Sequence, residues 1–76
     1  MGEKKVFKYP VIIEKANNNY SAYSPDLPGC AATGRTVEET LKHMKEAIQF
    51  HIEGLQQEGI EIPKPSAQIT YIEISI

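Results

Sequence analysis

An α+β two-layer sandwich of order β-β-β-α-β, an antiparallel sheet crossed by one long helix, is predicted by three features of this 76-residue sequence. Short apolar stretches separated by Asn, Pro and Gly clusters fill its first half; one long amphipathic stretch follows a capping signal at Thr36; and an isoleucine-rich alternating run occupies residues 68–76. One helix can cover only one face of such a sheet. Its length and its 41% hydrophobic, 24% charged composition describe one small domain over residues 1–76 with no visible linker.

The first strand is expected over residues 5–15, with Phe7, Tyr9, Val11 and Ile13 on one side and Val6, Pro10 and Ile12 on the other. Pro10 cannot donate to a ladder, which points to an edge position or a bulge. Asn17, Asn18 and Asn19 tolerate the left-handed conformations of a turn, so a hairpin into a second strand at residues 20–24 is predicted. Pro28-Gly29 suits the central pair of a type II turn, followed by a third strand at residues 30–33 that Gly34 breaks.

The helix is predicted over residues 37–58. Thr36 and Glu39 form a capping box, and Val37, Leu41, Met44, Ile48, Ile52 and Leu55 recur at the spacing of one buried helical face. Gly59 is a C-terminal cap, and Pro63 and Pro65 prevent continuation. Glu38, Lys42 and Glu46 alternate in sign at steps of four and decorate a solvated face. The last strand, residues 68–76, and the first both read as apolar on two sides, a pattern usual for sheets covered on both faces. So small a domain with one cysteine has no internal disulfide to staple it, so a homo-oligomer, dimer or tetramer, or an obligate partner is expected.

Charge and composition restrict function. A formal net charge of −2 opposes a surface built to hold phosphates, and direct DNA binding is not expected. Lys4, Lys5 and Lys8, the one basic cluster, lack an aromatic platform and are read as keeping an N-terminal strand soluble. No apolar run reaches the roughly 20 residues of a membrane span, and the N-terminus lacks a signal-peptide core, so a cytoplasmic protein with no membrane partner is expected.

Chemistry is sparse. His43 and His51 would stand about 12 Å apart along a helix, too far to share a metal ion. Ser24 and Asp26 flank Pro25 and suit turn chemistry; Cys30 reads as a small packed hydrophobe; Gly29 and Gly34 match no phosphate-binding spacing. No catalytic residue, metal site or cofactor is expected. Two surfaces remain as candidates for contact: the loop Pro25, Asp26, Leu27, Pro28, Gly29 and Cys30, and a helix strip of His43, Ala47, Phe50 and Gly54. On that strip Phe50 falls about 140° from the centre of the core stripe, and the small Ala47 and Gly54 allow close approach.

Residues 9–14 (YPVIIE), Tyr20-Ser21-Ala22-Tyr23, residues 25–30 (PDLPGC), Gly34-Arg35-Thr36 and Glu38-Glu39-Thr40 resemble, in this order and spacing, the HicB family of small bacterial and archaeal proteins. The resemblance covers roughly residues 9–65. It implies a partial RNase H-like β-β-β-α-β fold without the acidic nuclease site, and an antitoxin that neutralises a HicA-type mRNA interferase by occlusion. Many family members also carry a C-terminal DNA-binding domain, which is not expected here because residue 76 falls on the last strand. A homo-oligomeric structural or regulatory module without a toxin partner is the alternative. A nuclease or nucleic-acid binder is a third reading, for which Glu14, Asp26 and Glu73 are the available acids.

Overall fold

The structure, a computed structural model, describes residues 6–76, so the start of the expected first strand and Lys4 and Lys5 lie outside the described residues. Three short strands, β1 (Ile12–Lys15), β2 (Tyr20–Tyr23) and β3 (Ala31–Gly34), precede one helix, α1 (Val37–Gln57). The strands form an antiparallel meander in the order β1-β2-β3, an α+β fold. Ile13 stands opposite Ala22 and Ala22 opposite Ala32, which sets one line of small and apolar side chains across the sheet toward the helix. Ala22, Leu27, Cys30 and Met44 form the buried core, with Tyr9, Val11, Ile13, Ala32, Ala47 and Ile48 packed around it.

The turns follow local sequence. Cys30 N–H donates to the Leu27 carbonyl at 3.1 Å and Gly29 takes φ 82°, the type II geometry that Pro28-Gly29 predicts. The β1–β2 hairpin closes differently from expectation. Lys15 pairs with Tyr20, and Ala16 N–H donates to the Asn19 carbonyl, yet among the described residues no residue other than glycine has positive φ. A four-residue loop spreads the reversal over more dihedrals than a two-residue one, so the asparagines need no left-handed backbone.

Both ends of α1 are closed by their own sequence. Thr36 Oγ1 accepts from Glu39 N–H at 3.0 Å, while the Glu39 carboxylate accepts from Arg35 N–H, one residue earlier than in the usual reciprocal box. At the other end Gly59 N–H donates to Gln56 O and Ile60 N–H to Leu55 O, with Gly59 at φ 70°. This double bond pattern is a Schellman cap, which satisfies the last helical carbonyls and turns the chain away.

Three expectations are corrected. Residues 6–11 are not in a strand, and β1 begins only at Ile12, where β2 supplies a partner. β3 is shifted by one residue from the expected 30–33: Cys30 lies outside it, and Gly34, which does end the strand, is its last residue, paired with Tyr20. Residues 68–76 do not join the sheet of their own chain: they carry no strand pairing, and Tyr71, Ile72, Ile74 and Ile76 are largely exposed. The far face of the three paired strands is consequently mixed, with Glu14, Ser21 and Thr33 beside Ile12 and Tyr23, and not apolar throughout.

The helix is also turned relative to its predicted stripe. Thr40 and Met44 are its fully buried residues and Ala47 and Ile48 pack beside them, whereas Val37 and Leu41 stay open. At 100° per residue this inward line is rotated by about 40–50° from the apolar stripe. The cause is the two-residue link from β3. A Cβ on Gly34 would lie 2.6 Å from Thr40 N and 2.6 Å from Thr40 Oγ1, so the bare glycine lets the first helical turn press onto the end of β3. The buried Thr40 hydroxyl is satisfied by donating to the Thr36 carbonyl at 2.7 Å.

Candidate functional site: a groove between the Pro-Gly turn and the helix

The rotation of α1 decides what Phe50 does. Measured from the line that is actually buried, Phe50 lies about 100° round the helix, on its flank and not its back. It is 79% exposed. There it borders an open groove of about 410 Å³ whose other wall is the turn: Gly29, Cys30 and Ala31 face Ala47, Phe50, His51, Gly54, Leu55 and Glu58. Two surfaces that are separate in sequence, the loop and the helix strip, thus meet in one concavity with an aromatic at its lip.

The loop residues divide their work. Pro25, Pro28 and Gly29 are exposed, whereas Leu27 is 1% exposed and belongs to the core. Ser24 is buried, and its hydroxyl accepts from Asp26 N–H, the turn role its position suggests. Asp26 turns away from the groove: its carboxylate accepts from Ser66 N–H and Oγ–H and from Ala67 N–H, pinning the chain 40 residues downstream. Close by, Tyr9 donates its hydroxyl to the Pro63 carbonyl. Burial raises the Tyr9 phenol above its ordinary value, and the negative charge of Asp26 raises it further.

Cys30 lines the groove floor but is buried, and burial pushes its thiol up from its ordinary value. The thiolate is the reactive form, so a raised pKa and a covered sulfur both slow attack. Ellman's reagent at about pH 8 is therefore expected to label Cys30 at least roughly tenfold more slowly in the native protein than in urea. Equal rates would contradict the packed role.

On the helix strip, Ala47 is half-buried and Gly54 exposed, and both open toward the groove. His43 does not: its Nδ1–H donates to the Thr33 carbonyl at 2.7 Å, tying α1 to the edge strand β3. Sequence reasoning missed Ala31, His51, Leu55 and Glu58 as groove residues. Periodicity assigns His51 and Leu55 to the border and centre of the core stripe, so only the rotation of the helix reveals them. The signal that could have disclosed it is Gly34 six residues ahead of Thr40, a bare position facing a β-branched one across a two-residue link. Among the described residues no three His, Cys, Asp or Glu side chains gather as a metal site, and no helix is long and apolar enough to cross a membrane.

A three-stranded meander under a single helix, with an open groove between the turn and the helix flank, defines a small α+β module. The chain belongs to the HicB-like antitoxin family: the family model described as "HicB_like antitoxin of bacterial toxin-antitoxin system" matches residues 9–74. The UPF0150 protein ssr1765 of Synechocystis is 34% identical over 74 residues, covering 96% of this chain and 94% of that one. The UPF0150 protein Ta0767 of Thermoplasma acidophilum is 42% identical over 62 residues, covering 80% and 90%. An uncharacterized 14.9 kDa protein of Haemophilus phage HP1 is 45% identical over 64 residues, covering 84% of this chain but 48% of its own, so the chain spans about half the length of that relative. Among solved structures, a chain of a HicA3 and HicB3 toxin-antitoxin complex matches with a TM-score of 0.67 and 37% identity, covering 79% of this chain and 70% of that chain.

Proposed function

We propose that this chain is a non-catalytic, cytoplasmic antitoxin module that neutralises a HicA-type mRNA interferase by covering its surface. The observation that carries the reading is the groove in which the Pro28-Gly29 turn and the Phe50 flank of α1 converge. An exposed aromatic beside a concavity of small residues is the arrangement of an interface anchor, since a large rigid side chain buries much area at little entropic cost. Its electrostatics suit a basic partner. Glu46 and Glu53 lie one turn before and after Phe50, Glu58 lines the groove, and the chain as a whole is acidic. Such charge steers encounter with a protein built to hold RNA, and leaves affinity to the aromatic anchor.

Co-expression with the product of the small open reading frame beside its gene tests this. A stable complex together with relief of growth arrest is expected; recovery of neither would refute the antitoxin reading. The second reading, a homo-oligomeric module without a toxin, is favoured by the same exposed Phe50, which would then join copies of the chain. In that case Phe50→Glu lowers the mass measured by light scattering.

A further inference from the structure

We propose that residues 68–76 form an exchanged arm, which leaves its own chain and adds as a fourth strand along the β1 side of a second copy. The first observation is the arm itself. In the distal half of the arm Ile72, Ile74 and Ile76 alternate with Glu73 and Ser75, the period of a strand, yet Ile72 is 79% and Ile74 73% exposed. β-Branched residues in strand alternation with no ladder are an unsatisfied sheet element. The chain is correspondingly elongated, with extents of 52 × 27 × 21 Å and a radius of gyration of 14.7 Å, against about 11 Å for a compact chain of this length.

The second observation is an uncovered edge of matching kind on the opposite flank from the Phe50 groove. Because α1 is rotated toward β3, its other apolar flank overhangs the β1 side of the sheet with no strand beneath it among the described residues. Open clefts there are lined by Phe7, Tyr9 and Val11 on one side and by Leu41, Ile48 and Ile52 on the other. β1 is an edge strand, and residues 6–11 leading into it are unpaired. A strand laid along this edge would supply that ladder and bring its alternate isoleucines under the helix.

The root of the arm argues for a second copy as the donor. Asp26 clamps Ser66 and Ala67, and Tyr9 holds Pro63, so the arm is fixed where it departs and directed out of its own body. Arm and uncovered edge occur once each per chain, so reciprocal exchange closes a two-fold dimer with neither element left over. Two inserted strands of this length bury on the order of 2,000 Å², enough for a stable dimer. The Phe50 groove stays free on both copies, which makes this surface independent of the antitoxin reading.

A sample mixed from ¹³C-labelled and unlabelled chains tests the proposal by isotope-filtered NMR, with light scattering for mass. A dimer is expected, with Ile72 and Ile74 methyl groups showing cross-peaks to Val11, Leu41 or Ile48 of the other chain. The double variant Ile72→Glu/Ile74→Glu is expected to be monomeric with its helix signal retained in circular dichroism, whereas Phe50→Glu keeps the dimer mass. Cross-peaks confined within one chain, arm methyls at random-coil shifts, or a dimer in which the arm methyls touch no second copy would each overturn the exchange. The wild-type NMR result decides the matter even if the double variant does not fold.

Discussion

Gly34→Ala is expected to lower the stability of this domain by about 2–3 kcal/mol, although the same substitution often stabilises proteins by up to about 1 kcal/mol through the unfolded chain. The reason for the reversed sign is contact distance. The added methyl would sit 2.6 Å from both the amide nitrogen and the hydroxyl of Thr40 and 2.9 Å from its Cα. A flexible side chain could swing aside, but a helix backbone atom can move only by lifting the first turn of α1 from β3. That would expose the core around Thr40 and Met44, which are 0% and 1% exposed. In a domain of this size a loss of about 1 kcal/mol shifts the midpoint by about 4–8 °C, so thermal melting followed by circular dichroism should fall by roughly 10–20 °C. The Thr40→Ala background is expected to rescue this only in part, because it removes the hydroxyl and leaves the amide nitrogen. A Gly34→Ala variant as stable as the parent would show that the helix–strand approach is softer than its geometry.

Phe50→Glu is expected to weaken the proposed complex with a HicA-type toxin about 100-fold, or about 2.7 kcal/mol, while leaving the fold intact. The two halves of that expectation have separate causes. Phe50 is largely exposed and outside the core cluster, so its replacement on a solvated helix flank should change stability by no more than about 0.5 kcal/mol. In a complex, however, the ring would be buried against the partner, and a carboxylate there loses the apolar area and must also shed water. Isothermal titration calorimetry with the purified toxin measures the first half and thermal melting the second. Unchanged affinity would remove the groove from the interface. Affinity that also falls steeply with salt in the parent protein would agree with the acidic residues flanking Phe50.

The structure separates the candidate contact residues by role more sharply than their order in the chain does. The loop 25–30 stands in sequence as one candidate contact surface with Cys30 read as packed, yet Leu27 joins Cys30 in the core, Asp26 anchors the distal chain, and Pro25, Pro28 and Gly29 are the loop residues that face water. His43 reads as part of the Phe50 strip, yet it is spent on the Thr33 carbonyl. Periodicity locates residues around a helix axis but does not say which direction is inward; that depends on how the neighbouring strand approaches.

Features closed by neighbours a few residues apart were legible in the chain before it folded. The capping bond from Thr36 to Glu39, the Gly59 cap, the Pro28-Gly29 turn and the succession of strands before the helix all depend on backbone preferences and contacts within about one turn, and all are present where local chemistry places them. Packing between distant segments settled the rest. Asp26 reaches Ser66 across 40 residues and Tyr9 reaches Pro63 across 54. The helix rotates to fit Gly34 against Thr40, and this single close approach gathers the turn and Phe50 into one groove while opening the opposite flank. Residues 68–76 stand outside the sheet of their own chain, because a strand propensity is a local property and the edge that satisfies it is not.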